Sequence, residues 1–362
     1  MSNQTENFHG SDLEKIEKIY GISKENITSF AANINPLGIS PLLKRTLSEH
    51  IDVIQTYPDR GYTALRKSIS DYTGASPEHI VIGNGSTELI SLFIELAGPA
   101  HTLILGPTYS EYERSVSLAG GHSAYYMLKE SDDFQLNCPD LLMHLTPDIN
   151  LLILCNPNNP TSSAIAKDVM GIILEHCLTR HITVIVDETY VEFTEDINCY
   201  SSVPLVKQFS NLVVLRGVSK FFAAPGLRLG YAITGSENLL TEYHARSNPW
   251  SISSLAALGG EVMFQDIAYK KATYDLIASE RSRLYRILLT DNRFKVYEPH
   301  ANFILVKLLD PAMTAVQLFD RTIRKGLMIR NCSTFPSLDN HFIRFCIMSP
   351  EKNDELMEQL LL

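Results

Sequence analysis

Short strand-like runs recur along the chain at residues 80–82, 102–105, 123–127, 151–155, 182–186, 212–215 and 230–233, with helix-length segments between them. A strand covered on both faces reads as a continuous apolar run, and parallel neighbours need a crossover of about a dozen residues or more, usually a helix. The alternation therefore predicts an α/β chain built on a doubly wound, mostly parallel sheet, assigned here to a large domain over residues 44–246. From Asn248 a long helical stretch runs to about residue 290, and the charges of Glu280-Arg281-Ser282-Arg283-Leu284-Tyr285-Arg286 are expected on its solvated face. Strands at 302–307 and 341–347 then alternate with a helix at 313–325, which predicts a small α+β domain over 247–362, with the amino-terminal segment 1–43 packed onto it.

In open α/β sheets, ligands bind outside the carboxyl ends of the strands, so the residues that follow the apolar runs carry the functional information. The run Ile182 to Val186 ends in Asp187-Glu188-Thr189-Tyr190, which sets a carboxylate at such a strand end. Leu151 to Cys155 leads into Asn156-Pro157-Asn158-Asn159-Pro160-Thr161, a loop stiffened by two prolines. Gly83-Asn84-Gly85-Ser86-Thr87-Glu88 joins a short strand to an apolar helix, so its amides and the helix dipole can hold a phosphate. As a dinucleotide fingerprint it fails, because Glu88 stands where a third glycine is needed. Lys220 and Arg228 lie eight residues apart in an otherwise apolar stretch. Desolvation and a neighbouring cation both disfavour an ammonium, and a neutral amine condenses with an aldehyde such as pyridoxal phosphate. An isolated Ser-Lys pair is more often a solvated surface feature, so the order and separation of the other segments decide.

Taken together, these segments resemble the fold-type I pyridoxal-phosphate enzymes of the aminotransferase class I/II superfamily over nearly the whole chain. The resemblance implies that Lys220 carries the cofactor covalently and that Asp187 pairs with its ring nitrogen. By the same likeness Asn159 and Tyr190 bond the ring oxygen, Tyr109 stacks on the ring, and Ser86, Thr87, Ser219 and Arg228 hold the phosphate. Tyr57, in Tyr57-Pro58-Asp59, matches a tyrosine that reaches the phosphate of a partner subunit, which implies a homodimer with shared sites. The chain departs from the pattern where Ser162 follows Thr161 in place of the usual glycine, and where Gly217 replaces a frequent hydroxyl residue three positions before the lysine. His9-Gly10-Ser11 likewise lacks an expected second glycine.

The two ends of the chain bear on the substrate. Arg330 lies in Met328-Ile329-Arg330-Asn331-Cys332, and Arg344 in Ile343-Arg344-Phe345-Cys346. An arginine desolvated among such neighbours needs an anion, supplied either by an internal salt bridge or by a carboxylate or phosphate ligand. With His9-Gly10, Asn33-Ile34-Asn35-Pro36-Leu37-Gly38, Asn248-Pro249-Trp250-Ser251 and Phe335-Pro336, these segments are similar to the threonine-phosphate decarboxylases of cobalamin biosynthesis, which are themselves similar to histidinol-phosphate aminotransferases. That likeness implies L-threonine O-3-phosphate as substrate and (R)-1-aminopropan-2-yl phosphate as product, with Arg330 and Arg344 on the substrate's anionic groups and His9 and Asn33 near its phosphate. Decarboxylation of serine phosphate and transamination of histidinol phosphate are the alternatives. The residues alone reach as far as a pyridoxal-phosphate enzyme acting on a doubly anionic amino acid, because the reaction depends on which substrate bond stands perpendicular to the ring.

Composition narrows the field further. A chain of 362 residues, 45% hydrophobic and 20% charged, can bury a large core, and a net charge of −10 argues against nonspecific nucleic-acid binding. The six cysteines form no C-x-x-C pair and no apolar leader is recognisable, which predicts reduced thiols in a cytoplasm. No run approaches the ~18 apolar residues of a membrane helix. His176 and His181 lack a carboxylate partner for a metal, and the few residues before His9 leave no room for the DNA-binding domain a transcriptional sensor would need.

Overall fold

The strand Thr183–Asp187 has a parallel partner on each side, and its central residues Val184, Ile185 and Val186 are apolar and fully buried. In a computed structural model describing residue 10 and residues 12–362, it lies in the middle of a seven-stranded sheet. The order is Ile80–Gly83, Gly230–Thr234, Leu212–Gly217, Thr183–Asp187, Leu151–Cys155, His101–Gly106 and His122–Met127. Gly230–Thr234 runs antiparallel to both neighbours and the remaining pairs are parallel, as the alternation predicts. Side chains alternate across the sheet. Ile153, Ile185 and Val213 join one core with Leu89, Phe93 and Tyr112 of the helices Ser86–Leu96 and Glu111–Leu118, whereas Leu152, Val184 and Val214 join the other with Met170 and Ile173 of Lys167–Leu178.

A second sheet of four antiparallel strands has the order Arg330–Asn331, Phe342–Cys346, Phe303–Leu308 and Phe294–Val296. Its register sets Arg330 directly opposite Arg344. The amino-terminal segment is tied to this part of the molecule by the parallel pairing of Thr28–Ser29 with Leu327–Met328 and by a 2.8 Å bond from the Cys346 amide to the Phe30 carbonyl.

The long helix Ile267–Leu289 corrects one expectation. Glu280 and Arg281 are 5% and 3% exposed rather than on a solvated face. Backbone and amide groups inside the molecule supply what water would have supplied. Arg281 Nη1 donates to the carbonyls of Phe193 (2.7 Å), His300 (3.1 Å) and Ala301 (3.2 Å), while Glu280 accepts from Arg283 and Asn353. Among the described residues no helix is long and apolar enough to cross a membrane, and no cluster of histidine, cysteine or carboxylate side chains has the arrangement of a metal site.

Candidate functional site

Lys220 follows the strand Leu212–Gly217 and is drawn inward by Phe221 and Phe222, both fully buried. The amino-terminal loop closes over it. Its Nζ donates to the Ala32 carbonyl at 2.6 Å, its carbonyl accepts from the Asn35 amide at 3.0 Å, and Asn35 Nδ2 holds the Phe221 carbonyl at 2.7 Å. Burial, and after it the charge of Arg344, bring the ammonium down to about 8, so a substantial neutral fraction is present near physiological pH.

Asp187 ends the neighbouring strand and is buried. Burial raises its pKa, opposed by three donors: the Thr189 amide at 2.9 Å, the Thr189 hydroxyl at 2.5 Å and the Tyr112 hydroxyl at 2.7 Å. No ion pair reaches it among the described residues, so a protonated ring nitrogen would supply the missing cation. Tyr109 stands edge-on to Tyr112, ring centroids 5.7 Å apart, which brings it to the same end of the sheet.

The helix Ser86–Leu96 begins without a side-chain cap, leaving amides at Ser86 and Thr87 with the positive end of its dipole. Arg228 lies beside that end, donating to the carbonyls of Pro225 (3.1 Å) and Asn84 (3.3 Å). Two glycines are needed here: Gly85 has a φ of 85° with the Arg228 guanidinium packed against its Cα, and a Cβ on Gly230 would lie 2.5 Å from the Ser86 amide nitrogen. Ser219 is half-buried in the turn after Gly217, where a Cβ would come within 3.4 Å of Ser86 Oγ. An uncapped helix start beside a guanidinium is a cradle for a phosphate.

Arg344 is the other centre of charge. It is 5% exposed, donates to the Ala31 carbonyl at 2.8 Å and to Asn159 Oδ1, and lies over the Phe303 ring at 5.1 Å. Its Nε has no partner, and no carboxylate pairs with it among the described residues. Asn33, held at a left-handed φ of 56°, donates from Nδ2 to the Tyr190 hydroxyl at 3.3 Å and accepts at its carbonyl from Asn302 at 3.0 Å. The side-chain oxygens of Asn33, Asn158 and Asn302 are buried without a donor. Buried polar groups are rarely left so, and their concentration around Lys220 and Arg344 marks a place for a polar ligand. Arg330 is half-buried across the register from Arg344, donates to Thr334 Oγ1 at 2.9 Å and lies 5.4 Å over Phe335.

Of the residues singled out in the sequence, Lys220, Asp187, Asn159, Tyr190, Asn33 and Arg344 thus converge with the helix start at Ser86, Thr87 and Arg228. Tyr57 does not join them within one chain: it is 79% exposed, packed 4.8 Å from the Trp250 ring. His9 lies outside the described residues. Sequence reasoning missed Tyr112, Thr189, Asn302 and Phe303. Tyr112 had one available signal, its position three residues after Tyr109 on the inward face of the next helix.

Comparisons with known proteins fit this geometry. The chain is 33% identical over 352 residues to the threonine-phosphate decarboxylase of Salmonella typhimurium, covering 97% of this chain and 95% of that protein. It is 31% identical over 353 residues to the histidinol-phosphate aminotransferase of Methanosarcina mazei, covering 96% and 91%. The crystal structure of histidinol-phosphate aminotransferase from Clostridium acetobutylicum superposes with a TM-score of 0.85 at 32% identity, covering 92% of this chain and 97% of that one. Residues 25–360 match the family described as aminotransferase class I and II, and with a match of that extent the chain belongs to it.

Proposed function

We propose that this protein is a pyridoxal-phosphate-dependent decarboxylase that converts L-threonine O-3-phosphate to (R)-1-aminopropan-2-yl phosphate and carbon dioxide for cobalamin biosynthesis. The observation that carries the reading is Arg344, a buried guanidinium with an unpartnered Nε and no carboxylate of the described chain to neutralise it. The 33% likeness to the Salmonella decarboxylase supports this choice of amino acid.

When bound, the cofactor supplies an electron sink in conjugation with the substrate's α-carbon. Lys220, with its amine near 8, is suited to hold the cofactor aldehyde and then to move a proton at that carbon. Asp187, whose carboxylate accepts from Tyr112 and Thr189, would stabilise a positive ring nitrogen. Ser86, Thr87, Ser219 and Arg228 would bind the cofactor phosphate, while Asn159 and Tyr190 orient the ring oxygen and Tyr109 covers a ring face. Arg344 would grip one substrate anion and fix the substrate's rotation; Asn33, Arg330 and His9 would meet the other. Trapping both anions orders the substrate before any bond breaks, and unphosphorylated threonine would leave buried donors unpaired.

Transamination of histidinol phosphate is the second reading, favoured by the 32% likeness to the Clostridium enzyme. Parallel assays on threonine phosphate, serine phosphate and histidinol phosphate, with and without 2-oxoglutarate, separate the readings by whether carbon dioxide is released or 2-oxoglutarate is converted to glutamate. Serine phosphate lacks one methyl group, a difference of about 1–3 kcal/mol at most, so it should be turned over more slowly and not refused.

The active unit is taken as a two-fold dimer in a cytoplasm, with domain limits at residues 43 and 246. The exposed aromatic pair Tyr57 and Trp250, near exposed Ile51 and Ile54, supports a second copy covering this face, and the six free thiols support a reducing compartment. Mixing inactive Lys220→Ala protein with an inactive Tyr57 variant should restore partial activity through hybrid dimers. Absence of recovery after proven subunit exchange would rule out shared sites.

A further inference from the structure

Ser162 has a left-handed φ of 61° and is fully buried, a conformation that glycine adopts freely and that costs other residues about 1–2 kcal/mol. Its side chain shows what a glycine there would forgo. Ser162 Oγ accepts from the amides of His300 at 3.1 Å and Ala301 at 2.9 Å, and its backbone carbonyl accepts from the His300 amide as well at 3.0 Å. The carbonyls of the same two residues accept from Arg281, so peptides 300 and 301 are held from both sides.

Both ends of this contact lead to Arg344. Immediately after Ala301, Asn302 holds the Asn33 carbonyl, and the Phe303 ring lies beneath the Arg344 guanidinium and 5.0 Å from the Tyr190 ring. Three residues before Ser162, the Asn159 side chain accepts from Arg344. The contacts close into a ring from Ser162 through residues 300–303 to Arg344, then through Asn159 back to Ser162. One arc belongs to the loop after Leu151–Cys155 of the large sheet, the other to the entrance of Phe303–Leu308 in the small one. The hydroxyl is thus a bridge between the two sheets at the place where the anion grip is assembled.

We propose that Ser162 is a positioning residue that locks the Asn159 loop to the Asn302-Phe303 segment and thereby fixes the direction in which Arg344 presents its guanidinium. The proposal rests on the reading of Arg344 as the substrate's anion grip. Removing the hydroxyl leaves the Ala301 amide unbonded at a buried position and leaves the two arcs joined here only by the Ser162 carbonyl and the His300 amide, a looser hold.

The test compares Ser162→Gly, which relieves the backbone, with Ser162→Ala, which keeps it constrained; both lack the hydroxyl. Both should raise KM for threonine phosphate by roughly tenfold, with a smaller change in kcat. A second readout needs no substrate. In the apoprotein, the pH midpoint for pyridoxal phosphate uptake should move upward from about 8 in both variants, because a displaced Arg344 no longer opposes protonation of Lys220. If wild-type protein does not bind threonine phosphate, the decarboxylase reading fails and the midpoint alone decides the role of Ser162. Unchanged KM and midpoint in both variants, with or without a lowered melting temperature, would overturn the proposal. So would an effect confined to Ser162→Ala, since that would assign it to backbone strain.

Discussion

Two buried arginines stand near the carboxyl ends of the central strands, and they differ in what neutralises them. Arg216 is 2% exposed; its Nε and Nη2 donate to Glu188 Oε2 at 3.0 and 2.8 Å, Nη2 also to Ser201 Oγ at 2.8 Å, and Glu192 lies 4.0 Å away. Arg344 is 5% exposed and meets neutral oxygens of Ala31 and Asn159, with Nε unpartnered. Desolvating a guanidinium is costly in either place. At Arg216 the protein's own carboxylates offset that cost, and the result is structural. At Arg344 the offset is left to a ligand, and the residue becomes available for recognition.

The largest expected effect lies at the amine that both functional regions surround. Lys220→Ala should abolish the borohydride-reducible link to pyridoxal phosphate and lower turnover by on the order of a thousandfold or more. In wild-type protein, cofactor uptake should rise as pH passes through about 8, well below the ~10.4 of an exposed lysine, because burial favours the neutral amine. A midpoint near that of an exposed lysine would show that the pocket does not desolvate Lys220.

Arg344→Ala and Arg216→Ala separate the two arginines directly. The first should lower kcat/KM for threonine phosphate by roughly thirtyfold to a few thousandfold, equivalent to about 2–5 kcal/mol, with little loss of stability. The second strands Glu188 and Glu192 in the interior and should destabilise the fold by about 3–5 kcal/mol in denaturant titration. If Arg344→Ala instead destabilises the fold by several kcal/mol while the protein that remains folded keeps its kcat/KM, the contrast is broken.

Glu192 sharpens the comparison with the smallest change. Burial raises its carboxyl to about 7 despite Arg216, so the folded state binds its proton more tightly than the unfolded chain between roughly 4.3 and that value. The contribution to stability is fully present below the unfolded pKa and is lost as pH rises through about 7. Glu192→Gln removes that dependence and should stabilise the protein at pH 8 by about 1–3 kcal/mol. A destabilisation at pH 8 would mean that its charge is needed by Arg216.

Most of the large sheet was legible in the sequence, because strands such as Leu151–Cys155 and Leu212–Gly217 are covered on both faces and carry that fact as unbroken apolar runs. Phe294–Val296 and the two-residue strands Thr28–Ser29 and Leu327–Met328 were not, since their pairing comes from partners and not from a pattern of their own. Glu280 and Arg281 show a related limit: helical periodicity locates a face, but the carbonyls waiting behind it come from residues distant in the chain. At the candidate site, residues at strand ends were legible because topology alone brings them together. Tyr112 on Asp187 and Ser162 on Ala301 join segments 75 and 139 residues apart; the position of Tyr112 on its helix hints at an inward face, but nothing local names either partner. The same holds for Arg344, whose residue type was visible but whose lack of an internal carboxylate is a property of the packed molecule.

Wild-type protein loaded with pyridoxal phosphate and given carboxyl-labelled L-threonine O-3-phosphate, with no amino acceptor, tests the decarboxylase reading most directly. The expected result is labelled carbon dioxide in equal amount with aminopropanol phosphate over many turnovers. Retention of the label in a keto acid, or threonine phosphate left intact with no labelled carbon dioxide, would contradict it.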